Sequence, residues 1–366
     1  MKEPLRIVML VGDAFGGFGG IAKFNRDFLT ALCEQAVQVR VLPRSITEPV
    51  ESGMPGGLVY DRRAAAGKGA FARRLAACLT RRGHINAVIC GHINLLPAAW
   101  LLARLRRARL VLVIHGFEAW GRVRSSVVHW LARRVDAVVS VSRTSAERFC
   151  GWSGFDLERV SIVPNCVDLD RFQPQPKDTA MMQRLGLGGG PVILTLGRIF
   201  ANERYKGFDE VIDLMPRLLA RDPSLQYLIV GDGNDRVRLE SKVEAMQLAG
   251  AVVFAGRIDE ADKVGIYNLA DAYVMPSSGE GFGIVLLEAA ACGIPVVGSS
   301  IDGSRDALRH GELGRLVDPH NSDALFDAIV ATLAAGRRER PAGLDMFSEQ
   351  AFKNRVSAWT AQLCKN

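Results

Sequence analysis

The sequence predicts an α/β protein of two domains, each built on a parallel sheet covered by helices on both faces. The chain has 366 residues, 48% of them apolar, which is enough for more than one hydrophobic core. Short apolar runs alternate with helical segments through both halves of the chain. A polar stretch with two prolines separates the two sets of alternating elements.

Six apolar runs in the first half predict strands, and helical patterns follow most of them. These runs are residues 6–11, 37–42, 87–90, 110–114, 137–141 and 161–163. Because ligands of parallel sheets bind at the carboxyl ends of the strands, the residues that follow each run are the candidates for function.

The first strand leads into a glycine-rich loop, residues 12–20. Gly17, Gly19 and Ala22 satisfy the loose G-x-G-x-x-G/A pattern of dinucleotide-binding proteins. That pattern expects an acidic residue at the end of the second strand, where this chain has Arg44. A flexible glycine loop lining a cleft is the favoured interpretation, and an NAD(P)-dependent dehydrogenase stays open as an alternative.

One histidine follows a predicted strand directly. His115 comes after residues 110–114 and precedes Gly116, so it is expected to face the ligand crevice. The other five histidines lack that placement and are predicted to be structural: His84, His92, His129, His310 and His320.

The predicted domain boundary falls at the prolines of residues 173–177. It separates a first domain, residues 1–172, from a second, residues 178–345. A last helix, residues 346–366, carries an apolar stripe with no domain left to follow, and is expected to pack back on the first domain. Its stripe consists of Phe352, Val356, Trp359 and Leu363.

Two cations lie at strand and helix ends in the second half. Arg198 follows the predicted strand 192–196, and Lys206 precedes a helix. Both are expected at the carboxyl edge of the second sheet, where they would surround one anion.

The most informative stretch is residues 276–293, which predicts a strand end, a tight glycine turn and a helix. The helix start exposes unpaired N–H groups and a positive dipole end, an arrangement suited to phosphate. Glu280 and Glu288 would lie about 12 Å apart in a helix, too far for a glycosidase pair. Glu288 is instead predicted to accept the paired hydroxyls of a ribose, and Glu280 to face what lies beyond the phosphates.

Charge is distributed unevenly. Residues 1–175 contain 25 basic and 14 acidic residues, whereas residues 176–366 contain 21 and 25. The segment 62–82 has seven basic residues and no acidic one, with apolar residues at helical spacing. It predicts a basic amphipathic helix that contacts an anionic membrane or partner, or simply a solvated face. Nucleic acid is not expected, since no binding motif accompanies the charge.

Other features predict a cytoplasmic protein, with peripheral binding at the inner face of the cytoplasmic membrane as a further expectation. The start of the chain does not resemble a signal peptide. The longest uncharged run, residues 85–103, is interrupted by polar residues and a proline, so a spanning helix is not predicted. Seven scattered cysteines predict reduced thiols rather than disulfides or a zinc site.

These motifs together resemble the retaining GT-B glycosyltransferases of family four, relatives of glycogen synthase. The stretch E-G-F-G-I-V-L-L-E at 280–288 looks like their Glu-x7-Glu signature. Further motifs follow in the family's order: Gly19-Gly20, His115-Gly116, Pro164-Asn165, Gly197-Arg198, Lys206-Gly207 and Gly231-Asp232-Gly233. The resemblance covers the whole chain and is densest in the second half.

The resemblance implies two Rossmann-like domains facing across a cleft, with the acceptor in the first and a nucleotide-diphosphate sugar in the second. Arg198 and Lys206 would hold the diphosphate, Glu288 the ribose, and Glu280 and His115 the transferred sugar. Other donor contacts would come from Gly19, Gly20, Arg257, Ile258, Phe282, Gly283 and Ile284.

The implied reaction moves a hexose, from GDP-mannose or a UDP-hexose, to a sugar or lipid-linked glycan in polysaccharide or glycoconjugate synthesis. It would retain the anomeric configuration and need no metal or cofactor. The chain departs from the family at Cys166, where glycine is usual. A slightly long gap before Lys206 leaves Arg204 as an alternative to it. A UDP-N-acetylglucosamine 2-epimerase and a non-catalytic binding module of the same fold also stay open.

Overall fold

A computed structural model describes residues 5–35, 37–50, 54–121, 125–337 and 339–365. The chain forms two compact units. The first comprises Met1–Cys166 together with Glu349–Asn366, and the second comprises Val167–Ser348. Each is an α/β unit with one parallel sheet, which confirms the predicted fold class.

The first unit contains a seven-stranded parallel sheet of order β3-β2-β1-β4-β5-β6-β7. Its strands are β1 (Arg6–Val11), β2 (Gln38–Pro43), β3 (Leu58–Tyr60), β4 (Ala87–Cys90), β5 (Arg109–Ile114), β6 (Ala137–Ser140) and β7 (Val160–Ile162). Its helices include α1 (Gly20–Cys33), α2 (Lys68–Thr80), α3 (Leu96–Arg106), α4 (Ser126–Ala132) and α5 (Arg143–Ser153). The sequence did not predict β3, a three-residue edge strand whose middle side chain, Val59, is exposed.

Alternation along the central strands explains how this sheet is covered. Val8 and Leu10 of β1 point into a core shared with α2, α3, α4 and α5. The neighbouring residues of β1, such as Met9, are fully buried on the other face. Helices α2 and α3 pack against each other, as do α3 and α4, so these three form one outer layer.

The apolar stripe of the basic segment faces this core. In α2, Phe71 and Cys78 are buried, and Leu75 and Leu79 pack against the core cluster. The predicted basic amphipathic helix therefore exists as α2, with its apolar stripe in the core and basic residues such as Lys68 and Arg73 exposed. No helix in the described ranges is both long and apolar enough to cross a membrane.

The second unit contains a six-stranded parallel sheet of order β10-β9-β8-β11-β12-β13. Its strands are β8 (Val192–Leu196), β9 (Gln226–Val230), β10 (Val252–Gly256), β11 (Ala272–Met275), β12 (Val296–Ser299) and β13 (Arg315–Val317). Its helices are α6 (Thr179–Arg184), α7 (Phe208–Leu219), α8 (Arg236–Ala245), α9 (Lys263–Leu269), α10 (Ile284–Ala291), α11 (Ser304–Ala307) and α12 (Ser322–Ala335).

The chain ends in α13 (Glu349–Lys365), which belongs to the first unit and packs on α1. Phe352 meets Phe24 edge-to-face at a centroid distance of 5.7 Å, and Trp359 lies 5.4 Å from Phe28. The predicted return of the last helix to the first domain is confirmed. Buried aromatic pairs of this kind are the main source of stability for such a docked helix.

Candidate functional site

Lys206 and Glu280 form an ion pair at the carboxyl edge of the second sheet. The Lys206 Nζ lies 3.0 Å from Glu280 Oε2, and the lysine side chain is only 12% exposed. Burial lowers the pKa of Lys206, but Glu280 and the neighbours Tyr205 and Glu203 more than offset this, so the pKa lies above its ordinary value. The site therefore holds a nearly buried ammonium group that stays charged.

Arg198 is the second predicted cation, and it is paired with Glu203. The guanidinium lies 2.5 Å from Glu203 Oε1, while Glu203 Oε2 is 4.0 Å from the Lys206 ammonium. Glu203 thus stands between the two cations with a side chain only 11% exposed. Sequence reasoning missed Glu203, because a carboxylate in an irregular loop has no spacing signal.

Arg204 is occupied elsewhere. Its guanidinium donates to both carboxylate oxygens of Asp235, at 2.7 and 3.0 Å. Asp235 also accepts from Arg238, which fixes it in a wider ion-pair network. Lys206 rather than Arg204 is therefore the cation that meets Glu280.

Asp302 holds the loop that carries Glu280. This fully buried carboxylate accepts from the Ser277 hydroxyl at 2.6 Å, the Glu280 N–H at 2.8 Å and the Ser304 N–H at 2.9 Å. Burial raises the pKa of Asp302 to about 6, even though these hydrogen bonds pull it down. Asp302 follows β12, so its position at the end of a strand was the signal that could have identified it.

Helix α10 starts at Ile284 directly after this loop. Gly283 precedes it with a φ of 86°, a left-handed conformation that favours glycine, and no side chain caps the helix start. Its first N–H groups therefore lack a side-chain acceptor, as an anion site requires. Phe282 is buried and meets Phe347 at 5.6 Å, so only its backbone is available to a ligand.

Glu288 lies in the interior of the unit, with an exposure of 1%. One of its oxygens accepts from the Tyr267 hydroxyl at 2.7 Å, and the other from Lys263 at 2.9 Å. Burial first, and then the Glu288 charge, raise the pKa of Tyr267 well above its ordinary value, so the phenol stays a donor. Lys263 and Tyr267 were not predicted, although α9 also begins shortly after a strand of this sheet.

One glycine-dependent contact shapes the same edge. Gly231 follows β9 with a φ of 139°, and a Cβ there would come 1.8 Å from the Gly197 carbonyl oxygen. The loops after β8 and β9 can approach each other only because position 231 has no side chain. Arg257 and Ile258 follow the edge strand β10; the arginine is exposed and the isoleucine half-buried.

In the first unit, His115 follows β5 as predicted and is buried. Its Nε2 lies 3.0 Å from the Gly91 carbonyl oxygen, so Nε2 carries the proton and Nδ1 remains an acceptor. Burial lowers the pKa of His115, against an opposing effect of Glu118. Glu118 also accepts from the His115 backbone N–H at 2.6 Å, which fixes the turn. The result is a neutral, fixed imidazole.

His92 lies at the same edge, after β4. It was predicted to be structural, and its Nδ1 accepts from the Asn94 N–H at 3.2 Å, which is a helix-capping role. It is also an electrostatic neighbour of His115, and burial lowers its pKa too. Both histidines are therefore held in the uncharged form.

The glycine loop of the first unit is tied to the helix that follows it. Arg26 donates to the Ala14 and Gly17 carbonyls, both at 2.9 Å. Gly19 has a φ of 91° and precedes α1, which starts at Gly20 without a side-chain cap. The backbone at Gly19 and Gly20 thus presents a second uncapped helix start.

The structure brings Arg198, Lys206, Glu203 and Glu280 together in the second unit, and His115 and His92 in the first. Within the described residues, no group of three or more His, Cys, Asp or Glu side chains is arranged to hold a metal ion.

Comparisons with known proteins show which family this chain belongs to. Residues 178–343 match the model described as glycosyl transferases group 1, and residues 18–171 match glycosyltransferase family 4. A D-inositol 3-phosphate glycosyltransferase of Geodermatophilus obscurus is 30% identical over 94% of this chain and 85% of its own length. A GDP-mannose-dependent alpha-(1-6)-phosphatidylinositol monomannoside mannosyltransferase of Mycolicibacterium smegmatis is 34% identical over 68% of each chain.

The solved structures agree on the fold. HepE of Anabaena, crystallised with UDP and glucose, superposes with a TM-score of 0.76 at 20% identity, over 98% of this chain and 99% of that one. The family models and the named relatives set aside the dehydrogenase, epimerase and binding-module alternatives. The chain belongs to glycosyltransferase family 4, and it is a glycosyltransferase with the GT-B fold.

Proposed function

We propose that this enzyme is a retaining, metal-independent hexosyltransferase that uses GDP-mannose or a UDP-hexose. The acceptor is a sugar or a lipid-linked glycan of polysaccharide or glycoconjugate synthesis. The observation that carries the proposal is the nearly buried Lys206–Glu280 pair, beside Arg198 and in the loop that leads into the uncapped start of α10.

The cations of the second unit suit a nucleoside diphosphate. The positive charges of Arg198 and Lys206 are paired with the carboxylates of Glu203 and Glu280. A bound diphosphate would take the place of these carboxylates as the partner of the two cations. Negative charge grows on the leaving phosphate during transfer, and fixed cations and helix-start N–H groups stabilise that charge without reorganisation. This stabilisation takes the place of a metal ion.

The chemical step breaks the bond between the sugar C1 and the phosphate oxygen, and its electron pair leaves with the diphosphate. The acceptor hydroxyl attacks C1 from the same face, and its proton passes to the leaving phosphate oxygen. Glu280 orients hydroxyl groups of the transferred sugar, and the neutral imidazole of His115 contacts another hydroxyl group of the same sugar. Glu288 holds the ribose, with Gly19, Gly20, Arg257, Ile258 and the backbone of 282–284 as further donor contacts.

Among the donors, we favour GDP-mannose, because the Mycolicibacterium smegmatis relative is named for its dependence on it. A thermal-shift screen of GDP-, UDP- and ADP-sugars identifies the donor, and the anomeric configuration of the product is then read by NMR. We expect stabilisation by one nucleotide-sugar class, full turnover in EDTA, and a product with the donor's anomeric configuration. An inverted product, or loss of turnover in EDTA, would contradict the proposal.

The first unit also presents a surface suited to an anionic bilayer, where a lipid-linked acceptor would lie. Leu101 and Leu105 of α3 are 45% and 59% exposed, and Val127 and Trp130 of α4 are 56% and 46% exposed. Arg134 stacks on Trp130 at 3.8 Å. Exposed apolar and aromatic side chains bordered by arginines are typical of proteins that bind the membrane interface. We propose this α3–α4 surface, flanked by the charged face of α2, as the site of peripheral binding at the inner face of the cytoplasmic membrane.

Vesicle co-sedimentation tests this surface. Leu105→Glu combined with Val127→Glu should lower binding to vesicles rich in phosphatidylglycerol about tenfold, because two apolar contacts become repulsive charges. The control is Val237→Glu, a 73% exposed valine of α8 in the other unit, which should not change binding. Equal binding by all variants, or binding independent of anionic lipid content, would remove this part of the proposal.

A further inference from the structure

A cavity of about 580 Å³ opens at the amino edge of the first sheet. It lies beneath the starts of β1, β2 and β3 and beside the turn that follows α2, at the edge opposite His115. Its basic lining residues are Arg6, Arg40, Arg81, Arg82, Arg106 and His84. No carboxylate occurs among the described residues that line it.

Arg106 fixes the backbone that forms one wall of the cavity. Arg106 of α3 donates to the carbonyl oxygens of Cys78 at 2.5 Å and Arg81 at 3.0 Å, and also to that of Gly83. These bonds fix the turn after α2, which carries Arg81 and Arg82. Both of those arginines are exposed at the cavity, so their guanidinium groups face solvent from a fixed backbone.

Among the described residues, the carboxylates near the cavity are too few to neutralise its arginines. Asp61, which borders the adjoining groove, accepts from Arg74 at 2.6 Å and from Arg40 at 3.3 Å, so one carboxylate serves two guanidinium groups. Burial is the main cause that lowers the pKa of Arg40, and the charge of Arg81 adds to it. Several arginines held close together with one shared carboxylate create a strongly positive local potential.

We propose that this cavity binds a ligand bearing a phosphate monoester or pyrophosphate group. Arginine guanidinium groups match the oxygens of phosphate through paired, charge-assisted hydrogen bonds. A dianion would relieve the repulsion between Arg40 and Arg81 and reach Arg82 at the rim. The cavity is large enough for a small phosphorylated molecule, and it lies at the amino edge of the first sheet, whereas the proposed donor contacts lie at the carboxyl edges of the two sheets.

Calorimetric titration with inorganic pyrophosphate tests the site. The Arg198→Ala, Lys206→Ala background removes the donor site, so that any remaining binding reports the cavity. In that background, Arg81→Ala with Arg82→Ala should weaken binding at least tenfold. The matched control is Arg73→Ala, an exposed arginine of α2 that does not line the cavity, and it should leave binding unchanged. No binding in the parent background, or equal loss in both variants, would overturn the proposal.

The source of the phosphate is distinguished by vesicles of matched charge. The first outcome is that the protein prefers vesicles of phosphatidic acid over those of phosphatidylserine. If the Arg81→Ala, Arg82→Ala variant loses that preference and pyrophosphate blocks it, the site is assigned to a lipid phosphate. Pyrophosphate binding without that preference would assign it to a soluble phosphorylated ligand. Both outcomes support the site, because both require the same two arginines.

Discussion

The carboxyl edges of the two sheets occupy equivalent places in two similar units, yet they are electrostatically different. The edge of the first sheet carries His115 and His92, both held neutral by burial. The edge of the second carries Lys206, Arg198 and their carboxylate partners, with the ammonium of Lys206 kept charged. A neutral edge suits uncharged hydroxyl groups, whereas a charged one suits a phosphate.

The difference comes from the partners that each edge supplies rather than from burial itself. At His115 burial lowers the pKa by more than Glu118 and the Gly91 carbonyl raise it, so the imidazole stays neutral. Lys206 is almost as buried, but Glu280, Tyr205 and Glu203 together favour the ammonium form by more than burial opposes it. The same fold can therefore hold a neutral imidazole or a charged ammonium group, depending on whether the neighbouring groups outweigh burial.

The largest effect is expected at the charged edge. Lys206→Ala should lower turnover about 100-fold, or roughly 2.7 kcal/mol, because a fixed cation next to the leaving phosphate is lost. Steady-state kinetics with the identified donor measure this. Lys206→Arg should keep more activity than alanine, since it keeps the charge.

The control for that variant is another cation of the same unit. Arg217 of α7 forms an exposed pair with Asp323, and pairs of this kind contribute about 0–1 kcal/mol. Arg217→Ala should leave turnover unchanged. If Lys206→Ala also stays within threefold of the parent enzyme, the contrast between the two edges has no catalytic meaning.

The sequence predicted the architecture and most of the cationic site, because both leave regular patterns. Strand–helix alternation, a glycine turn before a helix, and cations placed after strands can be recognised without coordinates. Glu203 carries no such pattern, because it lies in an irregular loop. Asp302 and Lys263 do lie after strands, but their positions do not reveal their partners, which belong to other segments of the chain. Two interpretations of α2 stayed open for a related reason: helical spacing shows that an apolar stripe exists, but not whether it meets a core or an outside partner.

A smaller effect is expected at Glu288, which tests how far the charged edge extends. Glu288→Gln should weaken binding of the nucleoside diphosphate about tenfold, because a carboxylate accepts hydroxyl hydrogen bonds more strongly than an amide. Calorimetry with the natural nucleotide and its 2′,3′-dideoxy analogue isolates the ribose contact. The analogue should bind more weakly than the natural nucleotide to the parent enzyme, and nearly equally to the variant.

The Glu288 test is informative because this carboxylate is already engaged by Lys263 and Tyr267. A carboxylate has room for about four hydrogen bonds, so two partners do not exhaust it. If the analogue loses the same affinity in parent and variant, Glu288 acts only by supporting the helix. Glu240→Gln, in an exposed pair with Arg236, controls for the loss of a negative charge in this unit.

The smallest effect concerns the pH dependence set by Asp302. Its pKa of about 6 lies above the ordinary 3.8, so the folded protein holds this proton more tightly than the unfolded chain does. Ionisation of Asp302 therefore opposes folding, and its contribution to stability declines as pH rises from about 4 to 6. Activity should follow the opposite trend, because only the carboxylate can accept all three donors that position Glu280.

Ser277→Ala sharpens this prediction. The Ser277 hydroxyl donates to Asp302 at 2.6 Å and lowers its pKa, so the variant should have a still higher pKa and lose activity at a higher pH. The expected shift of the acidic limb of the kcat profile is about 1–2 pH units, because a hydrogen bond to a charged group contributes about 1.5–3 kcal/mol and one pKa unit is about 1.4 kcal/mol. Ser241→Ala, an exposed serine of α8, should leave the profile unchanged. An acidic limb that does not move in Ser277→Ala would mean that another group controls it, and the two histidines held neutral at the first edge would then be the next to test.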